Sequence, residues 1–593
     1  MHAVRIAYFV RDEKPISELE FLPSTGHGCP ITGGTPDGKV KYPPVWFGRM
    51  FPPRRLEGLS EEQLMEIALC LIELGKCMDD PVKYFKDKKD APALAAAKQE
   101  ESDIPAGYTY LGQFITHEIT FHKTKDLPLV EPLPKNIRSP SLDLDSIYGA
   151  GPNDLQSKEL YEAGAYRVRL KVGWTQPPLP PDSSRRSAFD AEFQNDLPRL
   201  TRGDRTERGV AIIGDERNDE NLPLAQTHVA FLKFHNRVVE DLKSGRYKGV
   251  APPATAELFD AAKAEVVKHF QWIVLNDYLP RIVGKDLVKD VIRKPSDSFN
   301  PGSADELFIP LEFSAAAFRI GHSMVRRKYK WNREHEDVAL SQLFTNTKLS
   351  GNLEGLDRLD STWVIDWKRF YDFTPFADEY PASEPLKKFN KAGKIDTTFD
   401  LHLEQIKGFQ HLQPPKENNG GGEKPDEEKP ANPLFNGQKA LTVRNLLRGL
   451  ALGLPWAEDV ADALKLTEAQ RLKPTELRAE PHANLLAALG EKKTPLWFYI
   501  LREAKVQGDG GRLGHVGGRI VAETLIGLIR HSGYSILRQV EGNDSEWELS
   551  DWRPAYPRKP TEPETFEMID LLRAADVVDP IGEREYRLEH HQP

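Results

Sequence analysis

Apolar residues recur every three or four positions along most of this chain, and that period predicts helices. The stretch from Ser60 to Met78 opens on a Ser cap with acidic residues in its first turn and continues with helical apolar spacing. Residues 214–245 begin as a dense charged turn and continue as a long helix, with Leu224, Val229, Leu232, Val239 and Leu242 on one face. Further helices are predicted over 256–280, stopped by Pro280, and over 310–329, where Phe313, Ala316, Ala317 and Ile320 precede His322. The same period marks 440–455, a start near Ala457, 494–504 and 514–530. Alternation is rare, and the run Tyr166 to Val172 is the main strand signal, just before a Pro-rich loop. The fold class expected is mainly α, with few short strands.

Two regions lack periodicity. Residues 1 to about 57 are rich in Pro and Gly and read as an irregular N-terminal arm, while 412–433 are polar, Gly- and Pro-rich and read as a disordered insert. The chain therefore divides into an arm with accessory helices (1–100), one large body (101–535) and a C-terminal tail (536–593).

Polar residues inside the apolar runs mark the candidate chemistry. In the segment 108–122, Gln113 and His117 lie four apart among Leu111, Phe114, Ile115, Ile119 and Phe121, so both project from one helix face. Such a pair is costly unless something meets it: either the protein core satisfies the histidine or the face lines a cavity. In the stretch Ser139 to Gly151, alternating oxygen-bearing side chains (Ser139, Ser141, Asp143, Asp145) form either a solvated turn or a loop for a hard cation such as calcium. Arg217 sits at a helix start, where a cation opposes the dipole and capping does not explain it. His228 and His235, seven apart, read as packed or capping histidines, so that His228→Ala is expected mainly to disturb packing. Spacing alone leaves His322 open between a structural histidine and a ligand.

Composition narrows the setting. The chain has 593 residues and a net charge of −10, so a nucleic-acid partner is not expected. No apolar run approaches a membrane span, and the N-terminus lacks the long apolar region of a signal peptide, which predicts a cytoplasmic protein. Its three cysteines, Cys29, Cys70 and Cys77, do not make a disulfide framework. Nothing in the sequence sets an oligomeric state.

Six segments in order, Gly112–Glu118, Ser141–Gly149, Gly214–Asn221, His228–Arg237, Glu312–His322 and Asn445–Pro455, resemble the animal-type haem peroxidases of the peroxidase–cyclooxygenase superfamily. The resemblance spans roughly 105 to 530 and looks most like bacterial members. It implies a single helical haem-peroxidase body that reduces hydrogen peroxide, in response to oxidative stress, and oxidises a small donor such as a phenol or a halide. By resemblance His117 is the distal histidine with Gln113 beside it, Arg217 the distal arginine and His322 the iron ligand. Asn445 is implied to hold the other ring nitrogen of His322, with Arg319 and Arg448 near the haem propionates. Glu118, Ser139, Ser141, Asp143 and Asp145 fall on the calcium loop. Thr116 replaces one ester-forming aspartate, Glu220 matches the second linking carboxylate, and Asn221 replaces the methionine of a sulfonium link. The resemblance thus implies haem b or a singly ester-linked haem. Glu118 stands where Asp is usual among the calcium ligands. A cyclooxygenase-type fatty-acid dioxygenase is the alternative, but Arg319 occupies its radical-tyrosine position and carries no phenol.

Overall fold

The computed structural model describes residues 47–54, 59–86, 100–121, 438, 440–578, and 136–399 except 137, 156, 165, 178–190, 205–206, 248–250, 300, 302–306 and 381–387. Residues 1–46, all of the 412–433 region with its flanks, and the last residues of the tail lie outside these, as does Cys29.

The site is carried by helices α1 (Glu61–Asp79), α2 (Gly107–Ile119), α3 (Leu222–Lys243), α4 (Leu258–Ile273), α5 (Gly321–Met324), α6 (Leu441–Ala451), α7 (Leu496–Gly508), α8 (His515–Arg530) and α9 (Met568–Ala574). Strands are short and pair in twos: Phe47–Gly48 with Ile309–Pro310, Glu101–Pro105 with Lys391–Gly393, Lys328–Tyr329 with Val338–Ala339, and the hairpin Leu537–Val540/Asn543–Leu549. The mainly α expectation holds. The alternating run 166–172 is not a strand. Arg167 turns left-handed, and the Asn236 side chain takes both backbone groups of Leu170, so the backbone pairing shrinks to one antiparallel bridge between Tyr161 and Leu170.

Local chemistry explains the helix limits. Ser60 and Gln63 cap α1 reciprocally, each side chain bonding the other's backbone N–H. Asn221 caps α3 by accepting from Leu224 N–H, with Pro223 in the first turn, where its missing donor is not needed. Pro280 does not stop the helix begun at Leu258. A wide π turn at Val274–Tyr278 precedes it, and helix resumes over Leu279–Val283. The helix expected over 310–329 is likewise interrupted: Phe313–Ala317 form a π turn, Phe313 and Phe318 stack at 4.5 Å, and a fresh short turn, α5, presents His322.

One core runs through the described residues, and α2 packs against α3 and α5. Phe114 of α2 stacks on Phe231 of α3 at 4.9 Å. The divisions at 100 and 535 do not mark breaks in packing. α1 lies against α6 so closely that a Cβ on Gly75 would sit 2.7 Å from Val443 Cα, and Thr442 donates to the Gly75 carbonyl. The tail docks through Trp552 to Glu265, Ala555 N–H to His269 Nε2, and Met568 N–H to Asp277. Cys70 and Cys77 are both reduced.

Candidate active site

On α2, Gln113 and Thr116 keep part of their surface accessible while His117 is nearly enclosed, and the three share one helix face. The helix must come close to its neighbour here: a Cβ on Gly112 would meet the Tyr278 hydroxyl at 2.5 Å. Gln113 is held at both ends of its amide, donating to Glu220 at 2.9 Å and accepting from Asn221 Nδ2 at 3.1 Å. Asn221 therefore caps α3 and orients Gln113 at once. Thr116 spends its hydroxyl on the Gly112 carbonyl.

His117 Nδ1 lies 3.0 Å from Asn218 Oδ1. An amide oxygen only accepts, so Nδ1 carries the ring proton and Nε2 keeps a lone pair. Burial first, and then the Arg217 cation, push the imidazole down to about 3, so it is neutral at working pH. Arg217 is fixed along one edge by Asp215 and by the His117 carbonyl at 3.0 Å, and its guanidinium lies 4.2 Å over the Phe121 ring. Asp215 in turn binds the buried Arg138. Burial alone would raise the Asp215 carboxyl, but the two guanidiniums hold it well below the carboxylate range. Burial pushes Glu220 up to about 7, with Arg217 opposing.

On α5 and α6, His322 Nδ1 lies 3.1 Å from Asn445 Nδ2, and Asn445 Oδ1 accepts from Arg319 at 3.1 Å. Burial, and then Arg319 and Arg448, push His322 down to about 3. Arg319 and Arg448 stand beside Arg444, and among the described residues no carboxylate compensates the three cations. Burial and Arg444 lower Arg448 to about 10, and its Nε is buried with no partner among the described residues. Enclosed guanidiniums without counter-charge are costly and fit an anionic group.

The residues expected to bind calcium are held together by protein hydrogen bonds. The Glu118 carboxylate accepts from Asp145 N–H, Ser146 N–H and the Ser146 hydroxyl; Ser139 donates to Asp145 at 2.7 Å; and Ser532 donates to Asp143 at 2.9 Å. Ser141 lies half-buried in the same loop. Among the described residues no three His, Cys, Asp or Glu side chains converge as a metal set. The Glu118 side chain reaches the backbone of the loop itself.

The structure thus joins His117, Gln113, Arg217 and Glu220 in one network, and His322, Asn445, Arg319 and Arg448 in another. Asp215, Asn218, Arg138 and Arg444 belong to these networks too and were not singled out from sequence. Asn218 follows Arg217 directly, but a lone asparagine in a charged turn carries no periodic signal. His235 is satisfied structurally by Val168 O and the Tyr148 hydroxyl.

Residues 103–364 match the family model of the animal haem peroxidases. Heme peroxidase 2 of Caenorhabditis elegans is 26% identical over 196 residues, 31% of this chain and 23% of that protein. Matched stretches span under a quarter of the length of the curated relatives. Peroxidase A of Dictyostelium discoideum superposes with a TM-score of 0.53 at 15% identity, covering 91% of this chain and 94% of that one. A fatty acid alpha-dioxygenase of Arabidopsis thaliana superposes at 0.50 and 12% identity, covering 92% and 78%, so the likeness to both structures concerns the fold alone. Residues 103–364 of this chain thus match an animal haem peroxidase domain, set in a mainly helical body that shares its fold with Peroxidase A.

Proposed function

We propose that this chain is a haem peroxidase that reduces hydrogen peroxide and oxidises a small donor, a phenol or a halide. The observation that carries the reading is the uncompensated Arg319, Arg444 and Arg448 cluster beside His322, a cradle for a dianionic ring held by one imidazole. His322 Nε2 would take the iron, and Arg319 and Arg448 the propionates. That use of His322 would need its proton on Nδ1, and with it the Asn445 carbonyl turned toward the ring, the reverse of the 3.1 Å contact between Asn445 Nδ2 and His322 Nδ1. The haem supplies the redox capacity for cleaving the peroxide bond and for oxidising the donor.

The remaining work falls to side chains of the chain. His117, neutral and unprotonated at Nε2, takes the proton from one peroxide oxygen and returns it to the other as that oxygen leaves as water. Arg217, pre-oriented by Asp215, stabilises the negative charge developing on the departing oxygen. Gln113 and Asn221 fix the Glu220 carboxyl, which stands as the candidate for a single ester bond to the haem, while Thr116 offers no carboxylate.

Purified protein supplied with haem is expected to show a Soret band and to turn over peroxide with a phenol or iodide. His322→Ala is expected to lose haem retention. Denaturing extraction decides the Glu220 bond, because freely extracted unmodified haem excludes it. Oxygen uptake with linoleate and no peroxide would instead favour the dioxygenase, and no Soret band after haem supplementation would overturn both readings.

A further inference from the structure

We propose that His228, buried on α3, is a positioning residue that sets which ring nitrogen of His117 carries the proton, acting through the Asn218 amide. The inference rests on the reading of His117 as the proton carrier. It reassigns a histidine that the sequence presents as mere packing.

Asn218 is fully buried, and so is His228. The two ends of the Asn218 amide meet two imidazoles: Oδ1 lies 3.0 Å from His117 Nδ1, and Nδ2 lies 3.0 Å from His228 Nδ1. An amide NH2 only donates, so His228 Nδ1 must accept and its proton sits on Nε2, which has no partner among the described residues. Burial pushes the His228 imidazole down to about 3, which keeps that accepting lone pair free at neutral pH. The Phe114 ring stands edge-on to His228, with centroids 6.3 Å apart.

The three groups are therefore locked in one sense. Turning the amide over would put its NH2 against His117 Nδ1 and move the His117 proton to Nε2, the nitrogen needed as a base. The accepting nitrogen of His228 makes the productive sense affordable. Without it the Asn218 NH2 would be buried with no acceptor, which is worse than a carbonyl with no donor. An apolar residue at 228 should thus turn the amide over and hand His117 the wrong tautomer.

Ring-15N-histidine NMR of the full chain, haem-free and in the diamagnetic reduced carbon monoxide form, reads the tautomers directly. Wild type is expected to show His117 protonated on Nδ1. His228→Leu should move that proton to Nε2 and slow the reaction with peroxide roughly a hundredfold or more, the scale of a lost general base. His228→Gln, which restores an acceptor, should restore both. Asn218→Asp guards against a misfolded leucine variant: with oxygens at both ends it should leave His117 protonated on Nδ1 and move the His228 proton from Nε2 to Nδ1. An unchanged His117 tautomer in His228→Leu, or an unchanged His228 tautomer in Asn218→Asp, overturns the proposal. A wild-type protein inert to peroxide would sink the functional reading instead and leave the tautomer result standing.

Discussion

At the scale of single residues, the charge that matters most is Asp215. Its carboxylate serves two guanidiniums, one fully enclosed (Arg138) and one at the candidate site (Arg217). Removing one partner of a buried pair leaves the other without counter-charge, so Asp215→Ala is expected to destabilise the fold by about 3–5 kcal/mol. Denaturant unfolding measures this, and a loss below about 1 kcal/mol, the scale of an exposed pair, would contradict the role. The same substitution should free Arg217 and slow peroxide cleavage. Arg217 itself was legible from sequence, because a cation at a helix start has no capping reason to be there. Asp215 was not: an acid two residues from an arginine in a charged turn looks like solubility until Arg138, distant in sequence, is placed against it.

At the scale of elements, Asn221 joins secondary structure to the site. Its Oδ1 caps α3 while its Nδ2 holds Gln113 on α2. Asn221→Ala is expected to cost about 1 kcal/mol in unfolding free energy, as caps do. It should also loosen Gln113 and Glu220, so any haem ester should form less completely. Unchanged stability together with an unchanged fraction of linked haem would count against the double role. The helices were readable because a 3.6-residue apolar period survives any packing partner. The π turns at Val274–Tyr278 and Phe313–Ala317 were not, since one extra residue in a turn leaves the local pattern nearly intact. The second of these matters, because it sets the angle at which His322 leaves its segment.

At the scale of the whole molecule, buried titratable groups set the response to pH. Burial pushes His228 down to about 3 and His235 and His269 to about 4. In the unfolded chain these histidines titrate near about 6.5. Between those values the unfolded chain binds more protons, so stability rises with pH and is lost as pH falls from about 6.5 toward 4. Glu220 and Glu503 act the other way: burial pushes both up to about 7, and their contribution is lost as pH rises from about 4.5 through 7. The unfolding temperature is expected to peak on the acid side of neutrality and to fall steeply below about pH 6. A flat profile between pH 4 and 6.5 would show these imidazoles are not enclosed as described.

The sequence by itself determined the helical class, most helix positions and the histidines and arginines worth watching, because periodicity, caps and residue chemistry are local properties. Tertiary structure alone decided which of them meet. It placed Asn218 between two imidazoles and gathered Arg319, Arg444 and Arg448 with no carboxylate beside them among the described residues. It also tied the loop at Asp143 and Asp145 to Ser139 and to the distant Ser532. Each outcome depends on distances between residues far apart in the chain, and no local pattern encodes them.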